Sequence, residues 1–220
     1  PIAAVLEIVR QIASGLEHAH ALGVVHRDVK PDNVMLLGPS SAKAGAGSGA
    51  WDAAKIDVKI LDFGIVKIVD ASLDRRAGVA VMTQVGQVIG SPAFMSPEQV
   101  SGRPLDARSD LYSLGATMFH LLTGRQPFLA GDVEGVLRAQ LVEPPIPPSQ
   151  LRSEIPTAVD ALVLKALQKE PALRFQSAKE MQRALEQAAA APLRKPVLAT
   201  DLLDPELPPA SPAPAIAKKT

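Results

Sequence analysis

Cysteine is missing from all 220 residues. Its absence excludes a disulfide-stapled scaffold and every zinc or iron–sulfur site built on thiolates, and it fits a reducing compartment. Aromatic side chains are scarce, at 3%, too few for the stacking platforms that hold single-stranded nucleic acid. Net charge is lacking as well, because 23 Lys and Arg balance 23 Asp and Glu. Nucleic-acid binding through counterion release needs a basic face, and so does a polybasic membrane-surface binder; neither is expected. No apolar run reaches the ~18–20 residues that cross a bilayer, no signal peptide is visible, and no internal repeat is found. What is present is a globular share of hydrophobic residues, 47%, in a length that suits one domain. The chain opens on Pro1 rather than Met, the expected mark of a piece of a longer gene product.

Hydrophobic spacing gives a mainly helical reading. Ile2, Val5, Leu6, Val9, Ile12, Ala13 and Leu16 recur every three or four residues, which predicts an amphipathic helix over 1–22, ended by Gly23. Val24-Val25, Val34 to Leu37 and Val58 to Leu61 read as short strands. The Gly-, Ala- and Ser-rich stretch after Leu37 reads as a flexible insertion, and residues 65–95 as a long loop. Ser109 to Leu122 is apolar nearly all round, so it is expected to be a buried central helix. Further helices are predicted at Val133–Leu141, at Thr157–Gln168 and after Ser177, where Ser177 and Glu180 have the spacing of a capping box. From about residue 190 the chain is Pro- and Ala-rich without a period, which predicts a disordered linker or tail at 191–220.

One polar loop concentrates chemistry. It reads His26-Arg27-Asp28-Val29-Lys30-Pro31-Asp32-Asn33 and lies between two expected strands. Asp62-Phe63-Gly64 follows the next strand, Ser96-Pro97-Glu98 closes the long loop, Asp110 opens the buried helix and Arg174 lies near the end of the domain. Taken singly, Asp28 is a common kind of turn residue and His26 a common kind of core residue. In this order, the residues resemble the catalytic lobe of a bacterial eukaryotic-type serine/threonine protein kinase, matching H-R-D-x-K-x-x-N, D-F-G and a variant of A-P-E. The resemblance covers residues 1 to about 190. It implies an α+β, mainly α fold: the large helical lobe of a protein-kinase-like domain, with short antiparallel strands and without the N-terminal lobe.

The resemblance also implies roles. Phosphoryl transfer needs an oriented hydroxyl and neutralised negative charge. Asp28 is the expected catalytic base, and Lys30 the cation beside the moving phosphoryl group and the mark of a serine/threonine enzyme. Asn33 and Asp62 are the expected Mg²⁺ ligands, hard oxygen donors of the kind that ion prefers. Met35 is expected on the floor of the adenine pocket, and His26 is expected to stack with Phe63. Asp110 should accept backbone N–H bonds from the catalytic loop, and Glu98 should pair with Arg174 under the substrate-binding floor. Ser91 should face the substrate, its hydroxyl bonding Asp28 and Lys30. Arg27 and Thr83 form the regulatory pair, Thr83 being the phosphorylation site. ATP and Mg²⁺ are the implied cofactors and Ser/Thr-bearing proteins the implied partners, with autophosphorylation among the reactions. The expected location is cytoplasmic, with a parent protein that could be anchored in a membrane.

Other motifs stay structural. His18, His20 and His120 lie on helix patterns. Gly45 to Gly49 lacks the strand–loop–helix context of a phosphate loop. No His/Asp/Glu cluster has zinc spacing. The departures from the family pattern are specific. No G-x-G-x-x-G-x-V or V-A-I-K lysine precedes residue 26, Ser96 and Phe94 stand for Ala and Tyr, and Thr83-Gln84-Val85 replaces Thr-x-Thr. The missing upper half of an ATP site leads to the expectation that residues 1–220 alone transfer phosphate weakly or not at all. The competing reading is a non-catalytic, pseudokinase-like protein-binding module.

Overall fold

The computed structural model describes residues 1–37, 56–62 and 91–190. The insertion after Leu37, Phe63, Gly64, Thr83 and the tail from residue 191 lie outside them.

Helix α1 spans Ile2–Ala21 and buries Leu6, Val9, Ile12, Ala13 and Leu16, the face that the apolar spacing marks. It ends in a Schellman arrangement, with Gly23 N–H on the His20 carbonyl (2.9 Å) and Val24 N–H on that of Ala19 (2.9 Å). Gly23 sits at φ 74°, a left-handed conformation that costs glycine nothing. This cap corrects the strand expected at Val24-Val25: Val24 spends its N–H closing the helix, and neither residue joins a strand.

Strands β1 (Val34–Leu37) and β2 (Asp57–Ile60) form an antiparallel pair, with Val34 opposite Ile60 and Leu37 opposite Asp57. Gln11 of α1 completes one edge of this ribbon. Its side-chain N–H donates to the Ile56 carbonyl (2.7 Å), and its carbonyl oxygen accepts from Val58 N–H (2.9 Å). The amide does there what a third strand would do, supplying partners to an otherwise open edge.

The remaining helices are the one-turn α2 (Pro97–Val100), α3 (Ala107–Thr123), α4 (Val133–Val142), α5 (Thr157–Ala166) and α6 (Ala178–Ala189). Helix α3 is the centre of the core. Leu111, Leu114, Met118, Phe119 and Leu122 are buried on several sides of it, between α1 and α5. The approach to α5 requires Gly115, because a Cβ there would lie 2.5 Å from that of Ala166. Helix α3 begins two residues before the expected Ser109, because the Asp106 carboxylate accepts the Arg108 N–H and caps the first turn. The capping box expected at Ser177 is only half formed. Ser177 Oγ accepts from Glu180 N–H, but the Glu180 carboxylate turns to Gln176 N–H and to Lys165. A complete capping box stands instead at Ser96 and Gln99. Among the described residues no helix is long and apolar enough to cross a membrane.

Candidate active site

The segment from Val24 to Asn33 joins α1 to β1, and its conformation is set from three directions. From below, the buried Asp110 in the first turn of α3 accepts His26 N–H at Oδ2 and Arg27 N–H at Oδ1, both at 2.8 Å. From the side, His26, itself fully buried, takes the Asp28 N–H on Nδ1 (3.2 Å) and places Nε2 3.0 Å from the Leu61 carbonyl. An accepting Nδ1 requires the tautomer whose proton is on Nε2, so the ring bridges the loop to the end of β2. From within, Asn33 donates from Nδ2 to the Asp28 carbonyl (2.8 Å) and to Asp28 Oδ2 (3.0 Å). Lys30 Nζ lies 3.1 Å from the same Oδ2. The Asp28 carboxylate is thus aimed by one amide and one ammonium.

Asp62 follows β2 next to this loop. The Leu61 N–H donates to the Asn33 carbonyl (2.8 Å), so the residue that precedes Asp62 is tied to Asn33 by its backbone. Arg27 (φ 69°) and Asp62 (φ 51°) are the only non-glycine residues at positive φ among the described residues. Such conformations cost on the order of 1–3 kcal/mol each and persist where the surroundings fix them. At Arg27 the fixing groups are Asp110 on its N–H and Gln99 Nε2 on its carbonyl (2.7 Å). Among the described residues the buried Arg27 Nε has no hydrogen-bond partner. Met35 lies on β1 with 44% of its surface exposed. Ser91 precedes the 3-10 turn Pro92–Phe94, and the structure does not bring its hydroxyl into a bond with Asp28 or Lys30 among the described residues.

Glu98 and Arg174 meet across the helical core, with side chains almost wholly buried and a shortest contact of 2.6 Å. All five guanidinium N–H groups are used. Nη1 and Nη2 take the two carboxylate oxygens of Glu98, and the carbonyls of Arg108, Gln168 and Lys169 take the other three. Ser109 Oγ adds a bond to Glu98 Oε1 (2.7 Å). Burial alone would raise the Glu98 carboxyl; the bonds from Arg174 and Ser109 outweigh it and hold the group below its ordinary value.

Lys169 lies alongside, its ammonium 4.0 Å from the centre of the Phe128 ring. Burial, together with the charge of Arg174, pushes it down to about 8 against an ordinary 10.5, with Glu143 opposing. The unfolded chain therefore binds this proton more tightly than the folded one. The lysine weakens the fold most below about pH 8, and its contribution to stability rises as the pH climbs from about 8 to 10.5. An NMR titration of the lysine side chains should show one midpoint near 8; if every lysine titrated above 10, this environment would be wrong.

Two residues of this site had no assigned part in the sequence. His20 Nε2 is 2.8 Å from Asp110 Oδ2, a third contact on that carboxylate. Gln99 holds the Arg27 carbonyl while closing the Ser96 capping box. The Ser-x-x-Gln spacing was the available signal for Gln99. His20 offered none, since a helical pattern does not say which polar residue meets a partner 90 positions away.

The resulting arrangement is an aimed carboxylate with a lysine on it, beside an amide that immediately precedes β1 and a second carboxylate just after β2. Among the described residues no three His, Asp or Glu side chains gather into a metal cage. The pair of hard oxygen donors, Asn33 and Asp62, instead suits Mg²⁺, which takes one or two protein ligands and completes its shell with phosphates and water.

Comparison with known proteins agrees with this chemistry. The family model described as protein kinase domain matches residues 2–186. The serine/threonine-protein kinase Pkn1 of Myxococcus xanthus is 38% identical over 191 residues, 87% of this chain and 25% of its own length. The serine/threonine-protein kinase PknB of Mycobacterium leprae is 39% identical over 176 residues, 80% of this chain and again 25% of its own length. The crystal structure of the Mycobacterium tuberculosis PknI kinase domain superposes with a TM-score of 0.57 at 26% identity, over 86% of this chain and 56% of that one. The chain thus spans about a quarter of the length of these curated relatives. It belongs to the protein kinase domain family.

Proposed function

We propose that this chain carries the catalytic loop and the substrate-binding half of an ATP- and Mg²⁺-dependent protein serine/threonine kinase. The observation that carries the reading is the Asp28 carboxylate held between Lys30 Nζ (3.1 Å) and Asn33 Nδ2 (3.0 Å). Asp28 accepts the proton of the substrate hydroxyl as that oxygen attacks the γ-phosphorus of ATP and the bond to the β-phosphate oxygen breaks. Lys30 offsets negative charge at the transferring group. Asn33, whose Nδ2 is committed to Asp28, and the Asp62 carboxylate would hold the Mg²⁺ through side-chain oxygens. Bound Mg²⁺ supplies charge neutralisation on the phosphates. Met35, exposed on β1, contributes apolar surface under the adenine ring. Radiolabelled ATP, a generic basic protein and phosphoamino-acid analysis of the product test the proposal on the full-length protein. Phosphoserine or phosphothreonine is expected; transfer to tyrosine alone, or no transfer, overturns it.

Regulation follows from Arg27. Its buried Nε, without a partner among the described residues, is a site for a phosphate, which carries about −1.5 to −2 charges and bonds a guanidinium strongly. Thr83 is the residue proposed to carry that phosphate. Ser91 and Ser96 are needed elsewhere, Ser91 at the substrate and Ser96 as a helix cap, and Ser72 lies close in sequence to Asp62. Mass spectrometry of the active full-length protein should find Thr83 phosphorylated, and Thr83→Ala should lower activity. A fully active Thr83→Ala protein would remove this role.

A further inference from the structure

Gln140 is one of only two buried residues of α4, and it is completely buried. Burying a primary amide is costly unless each of its groups is bonded, and here each is. The two N–H donors of Nε2 reach the carbonyls of Pro92 (3.1 Å) and Ala93 (2.8 Å). Its oxygen accepts the Tyr112 hydroxyl. Behind that hydroxyl stands Lys169, whose Nζ lies 3.3 Å from Tyr112 Oη and 3.1 Å from the Ala139 carbonyl. The chain from Lys169 through Tyr112 and Gln140 to the turn runs from donor to acceptor in one direction. A flipped amide would set its oxygen against two carbonyl oxygens, so the network fixes its orientation.

The far end of this relay is the turn Pro92–Phe94, between Ser91 and the Ser96 capping box. The same box docks on the Asp28 loop through the Gln99 bond to the Arg27 carbonyl. The turn is therefore held toward α4 by Gln140, and the Ser96 box that follows it is held toward the reacting centre by Gln99. Gln140 makes no hydrogen bond to Asp28, Lys30, Asn33 or Asp62 among the described residues.

We infer that Gln140 is a positioning residue for the protein substrate, fixing the Pro92–Phe94 turn against α4 so that the segment from Ser91 to Glu98 presents one surface to the incoming chain. The inference rests on the kinase reading above, which makes that segment the substrate floor. It separates substrate affinity from nucleotide affinity, because the relay touches only the former.

Three variants of the full-length protein test it. Gln140→Leu removes the whole link. Gln140→Glu keeps the acceptor for Tyr112 but has no N–H for the two carbonyls, and Tyr112→Phe leaves those donors and removes the hydroxyl behind them. Gln140→Leu and Gln140→Glu should raise KM for a peptide substrate about tenfold, the scale of one or two lost buried hydrogen bonds. KM for ATP and kcat should stay within about twofold, and Tyr112→Phe should have the same sign and a smaller size. Hydrogen exchange at the Phe94 and Met95 amides, whose bonds close the turn, should speed up in both Gln140 variants while Leu114 and Phe119 amides in α3 stay protected. If Gln140→Leu does not fold, the Gln140→Glu and Tyr112→Phe proteins decide. Unchanged exchange and unchanged peptide KM overturn the inference, and so does faster exchange with no change in peptide KM, or an equal rise in both KM values. A wild-type protein that transfers no phosphate sinks the kinase reading and with it the substrate role. The exchange measurement still reports whether Gln140 holds the turn.

Discussion

Replacing Arg174 by Met is expected to destabilise the fold by about 3–5 kcal/mol, the cost of breaking a buried ion pair by removing one partner. Against a total stability of about 5–15 kcal/mol, that loss is large. The reason lies in what is left behind. Glu98 keeps only Ser109 as a side-chain donor, and the carbonyls of Arg108, Gln168 and Lys169 lose the N–H groups that Arg174 supplied. The Glu98→Gln/Arg174→Met double variant removes the stranded charge but not the unserved carbonyls, so it should recover only part of the loss. The pH dependence gives an independent sign. In the native protein Glu98 is held below its ordinary value, so its contribution is present at neutral pH and is lost as the pH falls through the folded value. Without Arg174, burial raises the group instead, the folded state binds the proton more tightly, and acid stabilises the variant. The gap between the two proteins should narrow as the pH falls from neutral, first because the variant's raised carboxyl takes up its proton and then, below the ordinary 4.5, because the native protein loses the contribution of its lowered one. Urea titrations at pH 7 and pH 4.5 measure both effects; a loss under about 1 kcal/mol, the scale of an exposed pair, would contradict the buried geometry.

Asp28→Asn and Asp62→Ala should fail in different ways. Asparagine at 28 keeps a polar group against Lys30 and Asn33 but cannot accept the substrate proton. The phosphate-transfer rate of the full-length protein should fall by about 10²–10⁴-fold, the contribution of a positioned base, with nucleotide binding nearly intact. Asp62→Ala removes one of two oxygen donors proposed for Mg²⁺, so the affinity for Mg²⁺-ATP should drop, and added Mg²⁺ should restore part of it. Calorimetric titration with Mg²⁺-ATP alongside single-turnover kinetics separates the two. Equal loss of nucleotide binding in both variants would mean that the division of labour is wrong.

Local order was written in the chain where it depends on neighbours a few residues away. The spacing of Leu6, Val9, Ile12 and Leu16 sets the buried face of α1. The apolar run from Leu111 to Leu122 marks a helix surrounded on most sides, and Val34 to Leu37 marks β1 to the residue. The motif around Asp28, with Asp62, Glu98, Asp110 and Arg174 in order, pointed to the family before any contact was known. Where the reading missed, the deciding partner was distant or in competition. Val24-Val25 has the composition of a strand, but a strand exists only with a neighbour to bond, and its first N–H closes the α1 cap. Glu180 has the spacing of a capping box, but Lys165 and Gln176 compete for its carboxylate.

What the sequence by itself determined, then, is where the main helices lie and which residue types are available for chemistry, since both follow from propensity and period over a turn or two of chain. Tertiary structure decided the polar partners that neither the pattern nor the family resemblance named. His20 reaches Asp110 across 90 positions, Gln99 reaches Arg27 across 72, and Gln140 reaches Ala93 across 47. A buried donor must find an acceptor wherever packing brings one, and that choice is made by how α3, α4 and the turns close on each other. No pattern within a helix distinguishes Gln140, completely buried and bonded at every group, from a glutamine facing water.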